Sequence, residues 1–426
     1  MTISSLYNIF LQYPSVETDT RKIKQNDIFF ALKGPNFNGN TFAKTALEMG
    51  AAYCVCDEKT EYENDKIIYV DDVLASLKAL AKYHREQFTI PFIAITGSNG
   101  KTTTKELVHT VLCKKYICYT TKGNLNNHIG IPLTILSVKK DAEMAVIEMG
   151  ANHQKEIEEY CTYTLPTHGL IGNCGKAHLE GFGGIEGVRK GKGELYDYIK
   201  KTNGTIFINT DYDYLNEMSI GITNQISYGT NNATYTGEVL HDEHFLEVKI
   251  TSPATIVNIK THLAGNYNLP NIMSAVCIGK HFRVTDEDIK AALEAYIPSN
   301  SRSQIMQHGS NTILLDAYNA NPSSMKVAIE NFAAMDGKNK IVILGGMMEL
   351  GDESLQEHQG IVDLLLKYEW NKIILTGKDY KNLPESILHF TTSDETAAWF
   401  KQANIADSFI LVKGSRGMAM EKILAY

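Results

Sequence analysis

The sequence predicts an α/β protein of three domains, and three observations carry that reading. The chain has 426 residues, too many for one ordinary domain, and 43% are hydrophobic, enough for full-sized cores. An apolar run at 91–95 meets a glycine turn and then a helical segment, 103–112. Beyond residue 298, apolar strands alternate with helices, which is the pattern of a mostly parallel sheet covered on both faces.

The elements follow in order. A small α/β domain is expected over 1–87, with strand signals at 27–32 and 51–56 around a helix at 41–49. A helix from Asp72 to about Gln87 closes it. The central domain, 88–298, starts at the Pro91 strand. It continues with strands at 145–149, 169–172 and 204–209, and with a glycine-rich stretch at 181–193. Alternating segments from Ile226 to Leu263 read as hairpins added to a mostly parallel, P-loop-type sheet. Helices at 269–281 and 286–296 finish it, and Thr285 with Asp288 marks an N-cap. The third domain, 299–426, has strands at 312–316, 340–345, 372–376 and 408–413. Helices at 323–335, 355–368 and 395–403 lie between them in a Rossmann-like order. Ligands of such sheets gather at the carboxyl ends of strands, where Asp316 and Lys413 fall.

Composition narrows the class. A net charge of −8 argues against bulk nucleic-acid binding. Residues 1–12 lack a basic segment followed by a long apolar one, so no signal peptide is expected. No run approaches the roughly 18 apolar residues of a membrane span. The seven cysteines are an odd number, and Cys54-Val-Cys56 lacks metal-ligand spacing. Reduced thiols in a cytoplasmic monomer are the expectation.

The central chemical signal is Thr-Gly-Ser-Asn-Gly-Lys-Thr at 96–102. A triphosphate needs donors converging on its oxygens with no side chains in the way. Gly97 and Gly100 let backbone N–H groups of the loop, through Ser98 and Asn99, turn inward. Lys101 can bridge terminal phosphates, Thr102 offers a hydroxyl to Mg²⁺, and Thr103 follows in the first helical turn, whose positive dipole end adds attraction. The usual loop has four residues between its glycines; this one has two. A bare glycine corner is the competing reading, and Gly-Lys-Thr after an apolar strand makes it the weaker one.

Other constellations are less specific alone. Glu148 ends an apolar strand, where a carboxylate can hold a phosphate-bound Mg²⁺. His178 by itself reads as a structural histidine, because a lone imidazole seldom ligates Mg²⁺. Asn124, Asn126 and Asn127 form an amide-rich loop, equally consistent with substrate contact and with Asx turns. Lys192 sits in a basic helical stretch that reads as a solvated, phosphate-binding face. Asn268 and Asn271 share a helix face and could read an adenine edge, although capping or packing is commoner. Asp316 could bind a ribose hydroxyl, and Asp-Ala-Tyr-Asn-Ala-Asn-Pro at 316–322 equally fits an Asx-rich turn. Lys413-Gly-Ser-Arg suits phosphate or carboxylate.

Taken in order, these segments resemble the Mur ligases, ATP-dependent amide-forming enzymes of peptidoglycan synthesis. The resemblance rests on the shortened loop and on Gly-Asn-Leu-Asn-Asn-His-Ile-Gly at 123–130. It continues with Ile-Glu-Met-Gly-Ala-Asn-His at 147–153, Ala-His-Leu-Glu-Gly-Phe-Gly at 177–183 and Lys-Gly-Glu-Leu-Tyr at 192–196. The 315–322 segment, Met-Glu-Leu-Gly at 348–351 and Leu-Val-Lys-Gly-Ser-Arg at 411–416 complete it. Asp19-Thr20-Arg21 and Phe-Ala-Leu-Lys-Gly at 30–34 look like the family's UDP-sugar domain, with Thr20 and Arg21 as substrate contacts.

The resemblance is nearest to the branch that joins D-alanyl-D-alanine to UDP-N-acetylmuramoyl-tripeptide. It implies ATP and two Mg²⁺ sites. Thr102, Glu148, His178 and a carbamylated Lys192 would be the ligands, against the structural reading of His178. Lys101, Lys192, His178 and Glu148 would be the catalytic set. Asn268 and Asn271 would meet adenine, Arg302 the terminal phosphate and Asp316 ribose. Asn124, Asn126 and Asn127 would meet the muramyl-peptide; Tyr318, Asn319, Lys413 and Ser415 would face the reaction zone. Tyr267 and Gly346 depart from the family's usual histidine and aspartate. The alternatives are another amino acid ligase of this superfamily, a folylpolyglutamate synthase-like enzyme, or a nucleotide-binding regulator without catalysis.

Overall fold

The computed structural model describes all residues except 61, 63, 242–244, 254–257, 299–300 and 426. The expected start of the third domain, residue 299, lies outside the described residues, as do parts of the 226–263 stretch.

Three main sheets carry the chain. The first is four-stranded and parallel, in the order Val16–Glu17, Ile28–Phe30, Tyr53–Cys56, Ile67–Tyr69. Helix Val73–Arg85 covers it and packs on helices Gly130–Leu136 and Glu156–Thr164 of the central region. Arg85 fixes that joint. Its guanidinium donates to the carbonyls of Thr164 at 2.9 Å and Leu165 at 3.0 Å, and lies 3.9 Å from the Phe92 ring centroid. A cation thus meets the negative end of the Glu156–Thr164 helix dipole while its flat face is covered.

The central sheet has nine strands. Phe92–Thr96 lies between His168–Ile171 and Met144–Glu148, all parallel and apolar through their middles, with buried Thr96 and Glu148 at the carboxyl ends. Strands buried on both faces read as continuous hydrophobic runs, which is why these were legible. The hairpin expectation needs correction at its start. Asn224–Gly229 pairs parallel with Thr205–Asn209 and belongs to the main sheet. Antiparallel pairing appears between Tyr235–His241, Glu247–Ser252 and Asn258–Lys260. Alternation reveals a half-buried strand, not its partner.

The third sheet runs Gln304–His308, Asn311–Asp316, Phe409–Lys413, Ile341–Gly345, Lys372–Thr376, Ile387–Phe390. All pairs are parallel except the first, which is antiparallel. Its helices begin with well-formed caps: Asn321 and Thr392 each close a capping box. The Thr285 cap is present, its hydroxyl accepting from the Asp288 N–H at 3.1 Å. Among the described residues no helix is long and apolar enough to cross a membrane.

Candidate active site

The phosphate loop leaves the carboxyl end of Phe92–Thr96 and enters helix Lys101–Leu112 through Gly100, whose φ of 76° is left-handed. Gly100 is also required by packing. A Cβ there would lie 2.6 Å from the Asn271 amide oxygen. The loop is pinned by a residue that the motif did not reveal. Asn173 accepts from the Asn99 N–H at 3.0 Å through its side chain and from the Ser98 N–H at 2.9 Å through its carbonyl.

Lys101 curls back and donates to the Gly97 carbonyl at 2.8 Å and the Ser98 carbonyl at 3.2 Å. Burial holds its ammonium below the usual lysine range, the Arg302 charge adds to this, and Glu148 opposes it. An incoming phosphate would replace two neutral carbonyls with charged oxygens, so the lysine gains by turning toward it.

Glu148 is 1% exposed at the end of the neighbouring strand. One carboxylate oxygen accepts from the Thr102 hydroxyl at 3.1 Å and the Asn126 amide at 2.8 Å. The other oxygen is buried with no hydrogen-bond partner among the described residues. A buried carboxylate oxygen left bare is costly unless a cation meets it. The donor set is therefore oxygen-rich, anionic and incomplete, which fits Mg²⁺.

Lys192 is 1% exposed on helix Ile185–Lys201 and, among the described residues, makes no ion pair. Its ammonium stands 5.2 Å from the Phe182 ring. Burial first, then the Lys101 charge, draws its pKa down to about 7. The expected solvated face is thus corrected: this lysine points inward. His178 sits in a left-handed conformation, φ 53°, with its Nδ1 against the Glu349 carboxylate of the third domain.

The third domain faces the loop with a closed ion pair. Asp316 and Lys413 are register partners on adjacent strands, and their charged atoms are 2.5 Å apart. Lys413 also donates to the Asn319 carbonyl at 3.2 Å. The Arg302 guanidinium lies 3.6 Å from the Tyr318 ring centroid. Asn321 reaches from its helix cap to the Asn99 side chain at 2.7 Å, across 222 residues of sequence. Lys176 pairs with Glu357 at 2.5 Å beside it.

One cavity of about 1090 Å³ is lined by the phosphate loop, Asn126, Asn127, Glu148, His178, Arg302, Asp316, Tyr318, Asn319 and Lys413. Asn268 and Asn271 line it too, although their amides also serve packing. Asn271 donates to Asn268 at 2.8 Å and accepts from Thr104 at 3.0 Å. Asn127 caps the next helix by accepting from the Ile129 N–H at 3.1 Å and the Gly130 N–H at 2.9 Å. Asn124, Lys192 and Ser415 do not line the cavity. Ser415 is buried and ties loops together, accepting from the Met348 N–H at 3.0 Å and donating to the Ala320 carbonyl at 3.1 Å. Thr20 and Arg21 lie on a short helical turn of the first domain, outside this cavity, with Arg21 bonded to Asp19 at 2.7 Å. Sequence reasoning missed Asn173, Asn321 and Glu349 as site partners.

Three family models match consecutive segments: the Mur ligase family, catalytic domain over 12–85; the Mur ligase middle domain over 95–279; and the Mur ligase, glutamate ligase domain over 301–416. A UDP-N-acetylmuramoyl-tripeptide–D-alanyl-D-alanine ligase from Bacillus subtilis is 33% identical over 422 residues, covering 96% of this chain and 92% of that protein.

The chain belongs to the Mur ligase family.

Members of this family are ATP-dependent ligases. Among solved structures, MurF from Acinetobacter baumannii superposes with a TM-score of 0.87 at 29% identity, over 96% of this chain and 92% of that one. MurF ligase from Thermotoga maritima in complex with ADP gives 0.85 at 26% identity, over 97% of each chain. The three-domain α/β architecture expected of a Mur ligase is therefore the observed one.

Proposed function

We propose that this ligase joins D-alanyl-D-alanine to UDP-N-acetylmuramoyl-tripeptide, with ATP as the activating nucleotide, giving the pentapeptide precursor, ADP and phosphate. The observation that carries the reading is the shared cavity. It sets a phosphate loop, a loop of amides and a third-domain strand end around one space large enough for a nucleotide and a peptide terminus. Divisions at 1–87, 88–298 and 299–426 are proposed to bind the UDP-sugar, ATP and the incoming dipeptide respectively. Thr20 and Arg21 are assigned to the UDP-sugar. The proposed setting is the cytoplasm, where nucleotide-linked precursors are made, and the proposed working form is a monomer.

The chemistry has two balanced steps. A carboxylate oxygen of the tripeptide bonds to the γ-phosphorus of ATP as the bond to the bridging oxygen breaks, releasing ADP. The dipeptide amine then bonds to the acyl carbon, loses a proton, and phosphate leaves. Two anions must approach in the first step. Lys101 and Arg302 are assigned to the phosphates, so that charge repulsion falls where the bond forms. Thr102 and Glu148 would hold Mg²⁺, with His178 assigned to a second ion. When bound, the ions neutralise phosphate charge and polarise the transferred group. Asn126 braces Glu148 and, with Asn124 and Asn127, is assigned to the muramyl-peptide. Tyr318, Asn319, Lys413 and Ser415 shape the third-domain wall, Ser415 from behind it. Asp316 is assigned to ribose, and Asn268 and Asn271 to adenine.

Lys192 is proposed to carry a carbamate: its neutral amine adds to the carbon of CO₂ and one proton is released. Its burial, and the absence of an ion-paired carboxylate among the described residues, support this, because a neutral amine is the nucleophilic form. The test of the whole reading is phosphate release from ATP that requires both UDP-muramyl-tripeptide and D-alanyl-D-alanine. Release with either substrate omitted, or faster turnover with a single amino acid in place of the dipeptide, would overturn it.

A further inference from the structure

We propose that His109, Cys113 and Cys118 form a binding site for one thiophilic divalent cation of the zinc class. The site lies at the far end of the phosphate-loop helix, away from the cavity. His109 and Cys113 are four residues apart, one helical turn, at the carboxyl end of Lys101–Leu112. Cys118 opens the edge strand Cys118–Thr120, which returns beside that turn. One potential ligand atom from each residue lies within 4.8 Å of the others. Cys113 Sγ is 3.3 Å from His109 Nε2, and that nitrogen is 3.0 Å from the Cys118 carbonyl.

The ligand-atom spacings are close to what a tetrahedral ion requires, with His109 Nε2 exchanging its hydrogen bond to the Cys118 carbonyl for the ion. Zinc–sulfur bonds of about 2.3 Å and zinc–nitrogen bonds of about 2.0 Å put ligand atoms roughly 3.5–3.8 Å apart. Side-chain rotation of about 1 Å or less closes the set. Two sulfurs and an imidazole select a soft or borderline ion over Mg²⁺. Binding would displace the thiol protons of Cys113 and Cys118. Of the lysines around the set, Lys105 bonds to the Thr121 carbonyl at 2.9 Å and Lys115 to the Arg283 carbonyl at 2.8 Å. Cys113 is exposed, which leaves an entry path and room for water as a fourth ligand.

Such an ion would staple the helix to the edge strand. Lys101 stands about 18 Å away at the other end of the helix, by rise per residue, so the role is structural. The test uses the full-length protein, reduced and stripped of metal. Cobalt(II) is added as the probe, then displaced by zinc. One equivalent of cobalt should give thiolate-to-cobalt charge-transfer absorption. Cys113→Ser and Cys118→Ser should each abolish the band and weaken zinc about a hundredfold or more, with ligase activity retained. Zinc should raise the unfolding midpoint of the parent and not of the variants. Absence of the band while both thiols titrate as free, formation of a Cys113–Cys118 disulfide in place of metal uptake, or a band that survives in both variants would overturn the proposal.

Discussion

Two strand ends meet across the cavity, and they are finished differently. At the central one, one Glu148 oxygen is buried with no hydrogen-bond partner among the described residues, and Lys192 is buried behind the cavity wall, on its helix, with no ion pair among those residues. At the third-domain one, Asp316 and Lys413 neutralise each other at 2.5 Å. Both ends belong to parallel strands, so topology does not explain the contrast. The central end has the character of a receptor: among the described residues Glu148 and Lys101 are held by neutral groups and by no ion pair, and ATP and cations would bring the opposite charges. The third-domain end is self-contained, and its pair gives a stiff wall rather than a reserve of charge. Substitutions at the first should therefore damage chemistry and spare the fold, whereas those at the second should damage the fold in addition to the ribose contact assigned to Asp316.

Lys101→Ala should give the largest effect. It removes the only loop cation and should lower ATP-dependent turnover by about a thousandfold or more, with the thermal unfolding midpoint unchanged. Near-normal ADP release driven by the UDP-tripeptide would remove the phosphate-loop assignment. Asp316→Asn should act the other way. It strands Lys413, which is 2% exposed in its side chain, without an anion. Breaking such a buried pair costs about 3 kcal/mol or more, readable as a lower urea midpoint at constant m-value. A stability loss within experimental error would mean that the pair is solvated and the comparison is wrong.

Lys192→Ala comes next. Turnover should fall about a hundredfold if a buried anion is lost from the reaction zone, and short carboxylates such as formate should restore part of it. In the parent, activity at limiting CO₂ should fall as pH drops through about 7, because the protonated amine cannot add to CO₂. Full activity without rescue would count against the carbamate.

The contrast was only half legible in the sequence. Strands buried on both faces, such as Phe92–Thr96 and Ile341–Gly345, announce themselves by composition, and Gly-Lys-Thr marks the loop. Asp316 and Lys413 could be placed at strand ends because a βα alternation fixes where those ends point. Their pairing could not, since it depends on strand order, which places Phe409–Lys413 beside Asn311–Asp316. Asn173, Asn321 and Glu349 were invisible for the same reason: each works through a contact at least 74 residues away. Lys192 was misread as solvated because its helix is rich in charge, and only packing against Phe182 shows which face is inside. The three-residue edge strand Cys118–Thr120 is too short for alternation to show, so the grouping of His109, Cys113 and Cys118 was hidden with it.

The smallest expected effect separates the two kinds of region within one residue. Asn321 caps helix Pro322–Ala334, its side-chain oxygen accepting from the Ser324 N–H at 2.9 Å, and its amide donates to Asn99 of the phosphate loop. Asn321→Ala loses both and should cost about 1 kcal/mol of stability, the usual worth of a cap. Serine is an equally good cap but too short to reach Asn99. Asn321→Ser should therefore keep stability within about 0.5 kcal/mol while raising KM for ATP severalfold, because the loop loses its brace from the third domain. Equal KM values in the parent and Asn321→Ser would show that the bridge does not hold the loop. The wall and the receptor would then act independently.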